Sequence, residues 1–261
     1  MKISIIGAGN MGGAIASGLA VSGHITPQDI TVIDHRGHNV ARLKSVSEDL
    51  NVVVNDYKSL SEADIIIITV KPWLVENVLR EHKESLSGTK QLIVSVAATI
   101  TLEQLDEWTQ PEQPVFRVVP NTAIAVRQSM TYISCQNANK EQQTQLLRLF
   151  SLLGKAEIVD EKLIPAVTAL TSCGIAFAFR YIRAAMEGGV ELGVYPNNAK
   201  EGILQTLRGA IDLLEANGTH PEQEIDKVTT PGGITIKGLN EMEHAGFTSS
   251  VIRGLKASNV K

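Results

Sequence analysis

Two short stretches carry residue types and spacings that chemistry can use. Near the start, Gly7-Ala8-Gly9-Asn10-Met11-Gly12 follows the apolar run Ile3-Ser4-Ile5-Ile6, with glycines at first, third and sixth positions. Gly7 permits a tight turn, Gly9 lets a pyrophosphate approach the backbone, and Gly12 lets a helix pack closely on the strand. Small residues follow (Gly13, Ala14, Ile15, Ala16, Leu19, Ala20) until Ser22-Gly23 stops the pattern. A helix beginning there offers free N–H groups and a partial positive charge to phosphates. Far along the chain, Thr230-Pro231-Gly232-Gly233-Ile234-Thr235 reads as a threonine N-cap, a proline at the first helical position, and glycines whose N–H groups are open to an anion.

Further polar residues fall where a dinucleotide site would need them. A second apolar run, Ile30-Thr31-Val32-Ile33, ends at Asp34, where an acidic residue would accept from a ribose 2′-hydroxyl and favour NADH. Arg36, two positions on, would instead clamp a 2′-phosphate and favour NADPH, with His35 siding with the phosphate when protonated. Lys71 closes a central strand, but with an ordinary pKa near ~10.4 it is a poor acid unless buried. Its backbone, with Val70 and Pro72, is therefore the part expected to border the cofactor. Ala97 and Ala98 are either small because a nicotinamide ring lies over them or ordinary residues of a strand-to-helix turn. The six histidines and the cysteines Cys135 and Cys173 show no metal-ligand spacing, so no metal is assigned.

The elements that must position these residues alternate. Strands are read at 3–6, 30–33, 52–54, 64–70, 91–96 and 115–119, with helices at 42–50, 74–82 and 101–108 between them. Such alternation calls for an α/β fold with a Rossmann-type, doubly wound parallel sheet and right-handed crossovers. Ligands then bind at the carboxyl edge, which singles out Gly7–Gly12, Asp34–Arg36, Val70–Pro72 and Ala97–Ala98. From about Lys162 strand signals vanish, and helices are read at 163–187, 197–216, 221–229, 232–245 and 247–257. The chain thus divides into a dinucleotide-binding domain, 1–160, and an all-α domain, 161–261.

Bulk properties narrow the class. The 261 residues are 43% hydrophobic and 20% charged, as a globular protein with a proper core requires. A net charge of −4 gives no basic field for nucleic acid. Lys2 precedes only one strand's worth of apolar residues, which argues against a secretory leader, and cytoplasmic residence is expected. Leu163 to Phe179 is uncharged but short of the ~20 apolar residues of a membrane span, and it contains Pro165 and Gly174. A helix buried in the core or between subunits is expected instead, which points to a homodimer, with higher oligomers left open.

Taken together, several segments resemble the pyrroline-5-carboxylate reductase family along essentially the whole chain. They are Gly7–Gly12, Val70-Lys71-Pro72, Ser95-Val96-Ala97-Ala98, Arg117-Val118-Val119-Pro120-Asn121-Thr122, Ala169 to Phe177, Glu187-Gly188-Gly189-Val190, His220-Pro221 and Thr230 to Ile236. The resemblance implies reduction of the cyclic imine 1-pyrroline-5-carboxylate to L-proline by NAD(P)H, more often NADPH. It also implies that Gly233, Ile234 and Thr235 meet the substrate carboxylate and that the Thr235 hydroxyl bonds the ring nitrogen. Asn55 would touch the adenosine ribose, Asn121 would face the cleft, and Glu161 would lie near substrate or cofactor or simply be a helix-start carboxylate. Departures stand at Ala123, Cys173, Phe177 and Ile234, where the family often has proline, serine, tyrosine and a small residue or threonine. The resemblance puts Cys173 beside the substrate; read from its own surroundings it is either a redox-sensitive thiol or an inert small side chain in an apolar helix. The competing readings are another imine or keto-acid reductase and a regulatory protein that keeps the fold without turnover.

Overall fold

The computed structural model describes residues 1–46, 48–86 and 88–259. Contacts divide the chain into two compact units, Met1–Ser172 and the residues from Cys173 onward.

The first unit is built on an eight-stranded sheet. Its strands are β1 (Ile3–Ile6), β2 (Ile30–Asp34), β3 (Asn51–Val54), β4 (Ile65–Ile68), β5 (Leu92–Ser95), β6 (Val115–Val119), β7 (Ser129–Gln136) and β8 (Gly154–Ile158). They lie in the order β3-β2-β1-β4-β5-β6-β7-β8, and only the β6–β7 pairing is antiparallel. The helices are α1 (Asn10–Ala20), α2 (Gly37–Val46), α3 (Pro72–Glu81), α4 (Leu102–Trp108), α5 (Lys140–Ser151) and the short α6 (Ile164–Val167).

Strand alternation sorts the apolar residues into two cores. Ile3, Ile5, Val32, Ile65, Ile67, Val94 and Phe116 pack on one face with Ile15 and Leu19 of α1 and Leu146 and Phe150 of α5. Ile6, Ile33, Ile66, Ile68, Ile93 and Val115 pack on the other with Val75 and Leu79 of α3 and Leu105 and Trp108 of α4. Burial on both faces is why the central strands read as continuous apolar runs.

Three features correct the sequence reading. The second helix is Gly37–Val46 rather than 42–50, with Val40 and Leu43 turned inward, while Leu50 is buried from the turn that follows. The strands β7 and β8 and the helix α5 between them are additional. β7 follows β6 through a single 3₁₀ turn, Thr122–Val126, too short for a parallel crossover, and so runs antiparallel. β8 sits at the sheet edge with Lys155 and Glu157 pointing outward, which thins its apolar signal.

The second unit is helical: α7 (Gly174–Glu191), α8 (Pro196–Asn217), α9 (Pro221–Val228), α10 (Ile234–His244) and α11 (Phe247–Ser258). α7 runs along α8, where a Cβ at Gly189 would lie 3.3 Å from that of Ala199. Tyr181 and Phe247 meet edge to face with ring centroids 6.3 Å apart. Apart from these, large apolar groups stand in the open: Phe179 is 60%, Leu192 86% and Tyr195 79% exposed. The helical run Glu161–Glu191, with its π-helical stretch Thr168–Cys173, is by length and composition alone long and apolar enough to cross a membrane.

Candidate active site

Five strand ends meet along one edge of the sheet, and four hydrogen bonds between neighbours fix their order. Asn55 N donates to Asp34 O (3.2 Å), Gly7 N to Ile33 O (2.7 Å), Thr69 N to Ile6 O (2.9 Å) and Val96 N to Ile68 O (3.1 Å). The edge therefore runs from Asn55 through Asp34 and Arg36, the turn Gly7–Gly12, and Val70-Lys71-Pro72, to Ala97 and Ala98. Every residue expected to hold the cofactor lies on it.

The glycine turn has a distinct steric reason at each glycine. Gly7 adopts φ +106°, and a Cβ there would lie 2.8 Å from Thr69 Oγ1. A Cβ at Gly12 would overlap the Gly7 carbonyl and the Thr69 hydroxyl, so α1 can lie against β1 only without one. A Cβ at Gly9 would meet no atom of the described residues within 4 Å; among them that space is open, as a phosphate site must be. Gly9 is the N-cap of α1, no side chain caps the helix, and the first helical bond is Gly13 N to Gly9 O (2.9 Å). The N–H groups of Asn10, Met11 and Gly12 are thus left facing that space. This arrangement fits the pyrophosphate of a dinucleotide.

The turn is held by side chains from three directions. Asp34 Oδ2 accepts from Ala8 N (2.6 Å) and Asn39 Nδ2 (3.2 Å), and Oδ1 accepts from Arg36 N (2.7 Å). Burial pushes the Asp34 pKa up, but these bonds outweigh it and hold the carboxyl below its usual range. Arg42 of α2 donates to the Ala8 carbonyl (2.9 Å) and the Gly9 carbonyl (3.3 Å). The Thr69 hydroxyl reaches the carbonyls of Gly7 (2.7 Å) and Ile6 (3.0 Å). His35 and Arg36 are exposed just beyond β2, with Arg36 Nε donating to His35 Nε2 (3.0 Å). Asn55 sits in the left-handed region at φ 49°. Lys71 is exposed and forms the N-cap of α3.

Asn121, expected to face the cleft, and Glu161, expected near substrate or cofactor or as a helix-start carboxylate, both make side-chain hydrogen bonds inside the first unit. Asn121 is buried; its Oδ1 accepts from Ala123 N (3.0 Å) and its Nδ2 donates to Thr171 O (3.3 Å) in the π-helical stretch. Glu161 Oε1 accepts from Arg117 (2.9 Å) and from Leu102 N at the start of α4 (2.8 Å). Arg117 also donates to the Ala98 carbonyl, so this pair props the turn that carries Ala97 and Ala98.

Sequence reasoning passed over Arg42, Thr69 and Arg117. Arg117 had a signal, a charge inside the apolar strand Val115-Phe116-Arg117-Val118-Val119. Thr69, a hydroxyl at the end of four isoleucines, had a weaker one. Arg42 looks like any exposed residue of a surface helix.

In the second unit the Thr230–Thr235 stretch departs from expectation. Thr230 does not cap the helix; Thr230–Gly233 forms a turn closed by Gly233 N to Thr230 O (2.9 Å), with Gly232 at φ +73°. Proline then glycine with positive φ is the composition of a type II turn, and it outcompetes the proline-first helix start. α10 begins at Ile234 with Gly233 as its N-cap and no side-chain cap. The N–H groups of Ile234, Thr235 and Ile236 are the unpaired donors of its first turn. Ile234 is 87% exposed, and the Thr235 hydroxyl has no hydrogen-bond partner among the described residues. Cys173 is a half-buried free thiol just before α7. No group of three His, Cys, Asp or Glu among the described residues could hold a metal.

Comparison with known proteins places both halves. Residues 161–261 match the family model "Pyrroline-5-carboxylate reductase dimerisation", and residues 2–99 match "NADP oxidoreductase coenzyme F420-dependent". The chain is 35% identical to pyrroline-5-carboxylate reductase 1 of Dictyostelium discoideum over 99% of its own length, spanning about half (49%) of that protein. It is 36% identical to pyrroline-5-carboxylate reductase of Arabidopsis thaliana, over 98% of this chain and 92% of that one. The crystal structure of Plasmodium falciparum pyrroline carboxylate reductase with NADP bound superposes with a TM-score of 0.89 at 26% identity, covering 99% of this chain and 95% of that one.

Proposed function

The chain belongs to the pyrroline-5-carboxylate reductase family, and from that premise we propose that it reduces 1-pyrroline-5-carboxylate to L-proline with NADPH. The carrying observation is the carboxyl edge of the sheet, where an uncapped helix start and the open space over Gly9 suit a dinucleotide pyrophosphate. When bound, the reduced nicotinamide supplies the hydride.

The residues of this chain do the rest. Asn10, Met11 and Gly12 take the pyrophosphate through their N–H groups, and Gly7, Ala8 and Gly9 shape the turn. Asn55 borders the adenosine ribose, and Val70, Lys71 and Pro72 border the nicotinamide ribose. Ala97 and Ala98 leave room for the ring, supported from beneath by Arg117 and Glu161. Gly233, Ile234 and Thr235 bind the substrate carboxylate at the start of α10. The Thr235 hydroxyl hydrogen-bonds the ring nitrogen, keeping the imine in its protonated, electrophilic form. Cys173 contributes at most a weak S–H donor beside the substrate. Asn121 and Glu161 act as supports, since the Asn121 side-chain amide and Glu161 Oε1 already have partners.

The enzyme acts as a homodimer through its helical half, and the cytoplasm is its compartment. The reading is tested by incubating purified protein with pyrroline-5-carboxylate and NADPH. Loss of nicotinamide absorbance with stoichiometric proline supports it. Tight NADPH binding without turnover would favour a regulatory protein instead.

A further inference from the structure

The acidic residue closing β2 is where a dinucleotide fold reads the ribose 2′-hydroxyl, yet the geometry around Asp34 leaves little for that task. Its side chain is 5% exposed. One oxygen is held by Ala8 N at 2.6 Å and Asn39 Nδ2 at 3.2 Å, the other by Arg36 N at 2.7 Å. Charge-assisted bonds of that length are among the stronger ones a carboxylate makes, and a sugar hydroxyl would have to displace one of them. Opposite Asp34, Arg42 holds the carbonyls of Ala8 and Gly9. An anion therefore grips the N–H of Ala8 while a cation grips the carbonyl of the same residue. Neighbouring peptide groups can no longer rotate, and the N–H groups that meet phosphate stay aimed.

We infer that Asp34 and Arg42 form a two-sided clamp that positions the phosphate-binding turn, and that Asp34 therefore does not read the ribose 2′ position, which is left to the Arg36 and His35 already expected there. This rests on the cofactor reading above. Arg36 spends its backbone N–H on Asp34 and its Nε on His35, while its terminal guanidinium nitrogens, exposed, have no partner among the described residues. A planar guanidinium with two free donors is the complement of a phosphate monoester, so the favoured ligand carries a 2′-phosphate.

The test is direct titration of NADPH and NADH, followed by nicotinamide fluorescence, with kinetics and a thermal melt for each variant. Asp34→Asn should raise the Kd for both dinucleotides by about tenfold, the loss of one charge-assisted bond, and leave their ratio within about twofold. kcat at saturating NADPH should stay near the parent value while KM rises, a split that general loss of stability would not give. Arg42→Ala should do the same, and it decides the matter if Asp34→Asn does not fold. Arg36→Ala should weaken NADPH alone. An Asp34→Asn protein that loses NADH selectively or gains NADPH would overturn the clamp, because Asp34 would then be reading the 2′ position. An Arg42→Ala protein with unchanged Kd for both would overturn it too. Parent protein that binds neither dinucleotide would overturn the cofactor reading itself.

Discussion

At the scale of single residues, the chemistry asks for few groups and the sequence supplied most of them. Thr235 is the one side chain assigned to the reacting nitrogen; the residue is exposed, and its hydroxyl has no partner among the described residues. Thr235→Ala should lower kcat by roughly 10²-fold, the lower end for loss of one positioned proton-handling group, while Thr235→Ser should retain most activity. The Kd for NADPH should not move in either, because the hydroxyl is assigned to the ring nitrogen of the substrate and to no atom of the dinucleotide. An alanine variant with parental turnover would remove Thr235 from the mechanism. Asp34 carries a pH signature. Its folded pKa lies below the unfolded value of about 3.9, so its contribution to stability is present above that pH and is lost as pH falls through the folded pKa. Denaturant midpoints at pH 6 and pH 3 should therefore converge between parent and Asp34→Asn. A gap that stays constant across that range would show that the carboxylate is not favoured in the native state.

At the scale of elements, the glycine turn separates stability from binding. A methyl at Gly12 overlaps the Gly7 carbonyl, so Gly12→Ala should cost about 1–3 kcal/mol of stability as α1 is pushed off β1, and binding should fail with it. At Gly9 nothing among the described residues meets the methyl, so Gly9→Ala should melt within a few degrees of the parent and yet bind NADPH much more weakly. Equal melting temperatures and equal affinities for both variants would contradict the steric account. This element was legible because its constraints are local: a strand, three glycines and a helix follow one another within eighteen residues. The start of α10 was less so, since Thr-Pro-Gly-Gly satisfies both a helix cap and a type II turn, and only the conformation at Gly232 decides between them. β7, α5 and β8 escaped notice because an edge strand with outward Lys155 and Glu157 buries too little to show a run. The clamp by Arg42 and the prop by Arg117 depend on pairings between distant elements, about which local pattern says nothing.

At the scale of the whole molecule, the two halves meet the cost of apolar residues differently. The sheet unit buries the isoleucines of β1, β2, β4 and β5 to 4% exposure or less, whereas no residue of α7 through α11 is fully buried within the chain. Phe179 on α7 and Tyr195 and Leu192 in the turn after it together expose far more apolar surface than scattered single residues do. A bilayer would need that surface to be apolar all round the helix, yet Arg180, Arg183 and Glu187 interrupt it, and Arg183 pairs with Glu187 at 2.8 Å as on a solvent-facing stripe. A second copy covers such a surface one-sidedly, and the match of residues 161–261 to a dimerisation family names that copy. The solution mass should therefore be twice that of the chain, or a multiple of it, at micromolar concentration. Phe179→Glu places a charge on the exposed apolar face and should yield monomer or insoluble protein. It should leave the glycine turn of any soluble monomer intact, so NADPH binding measured on that species separates loss of assembly from loss of fold. A Phe179→Glu protein that keeps the parental mass and activity would show that α7 is not the seam, and the apolar face would then need another occupant.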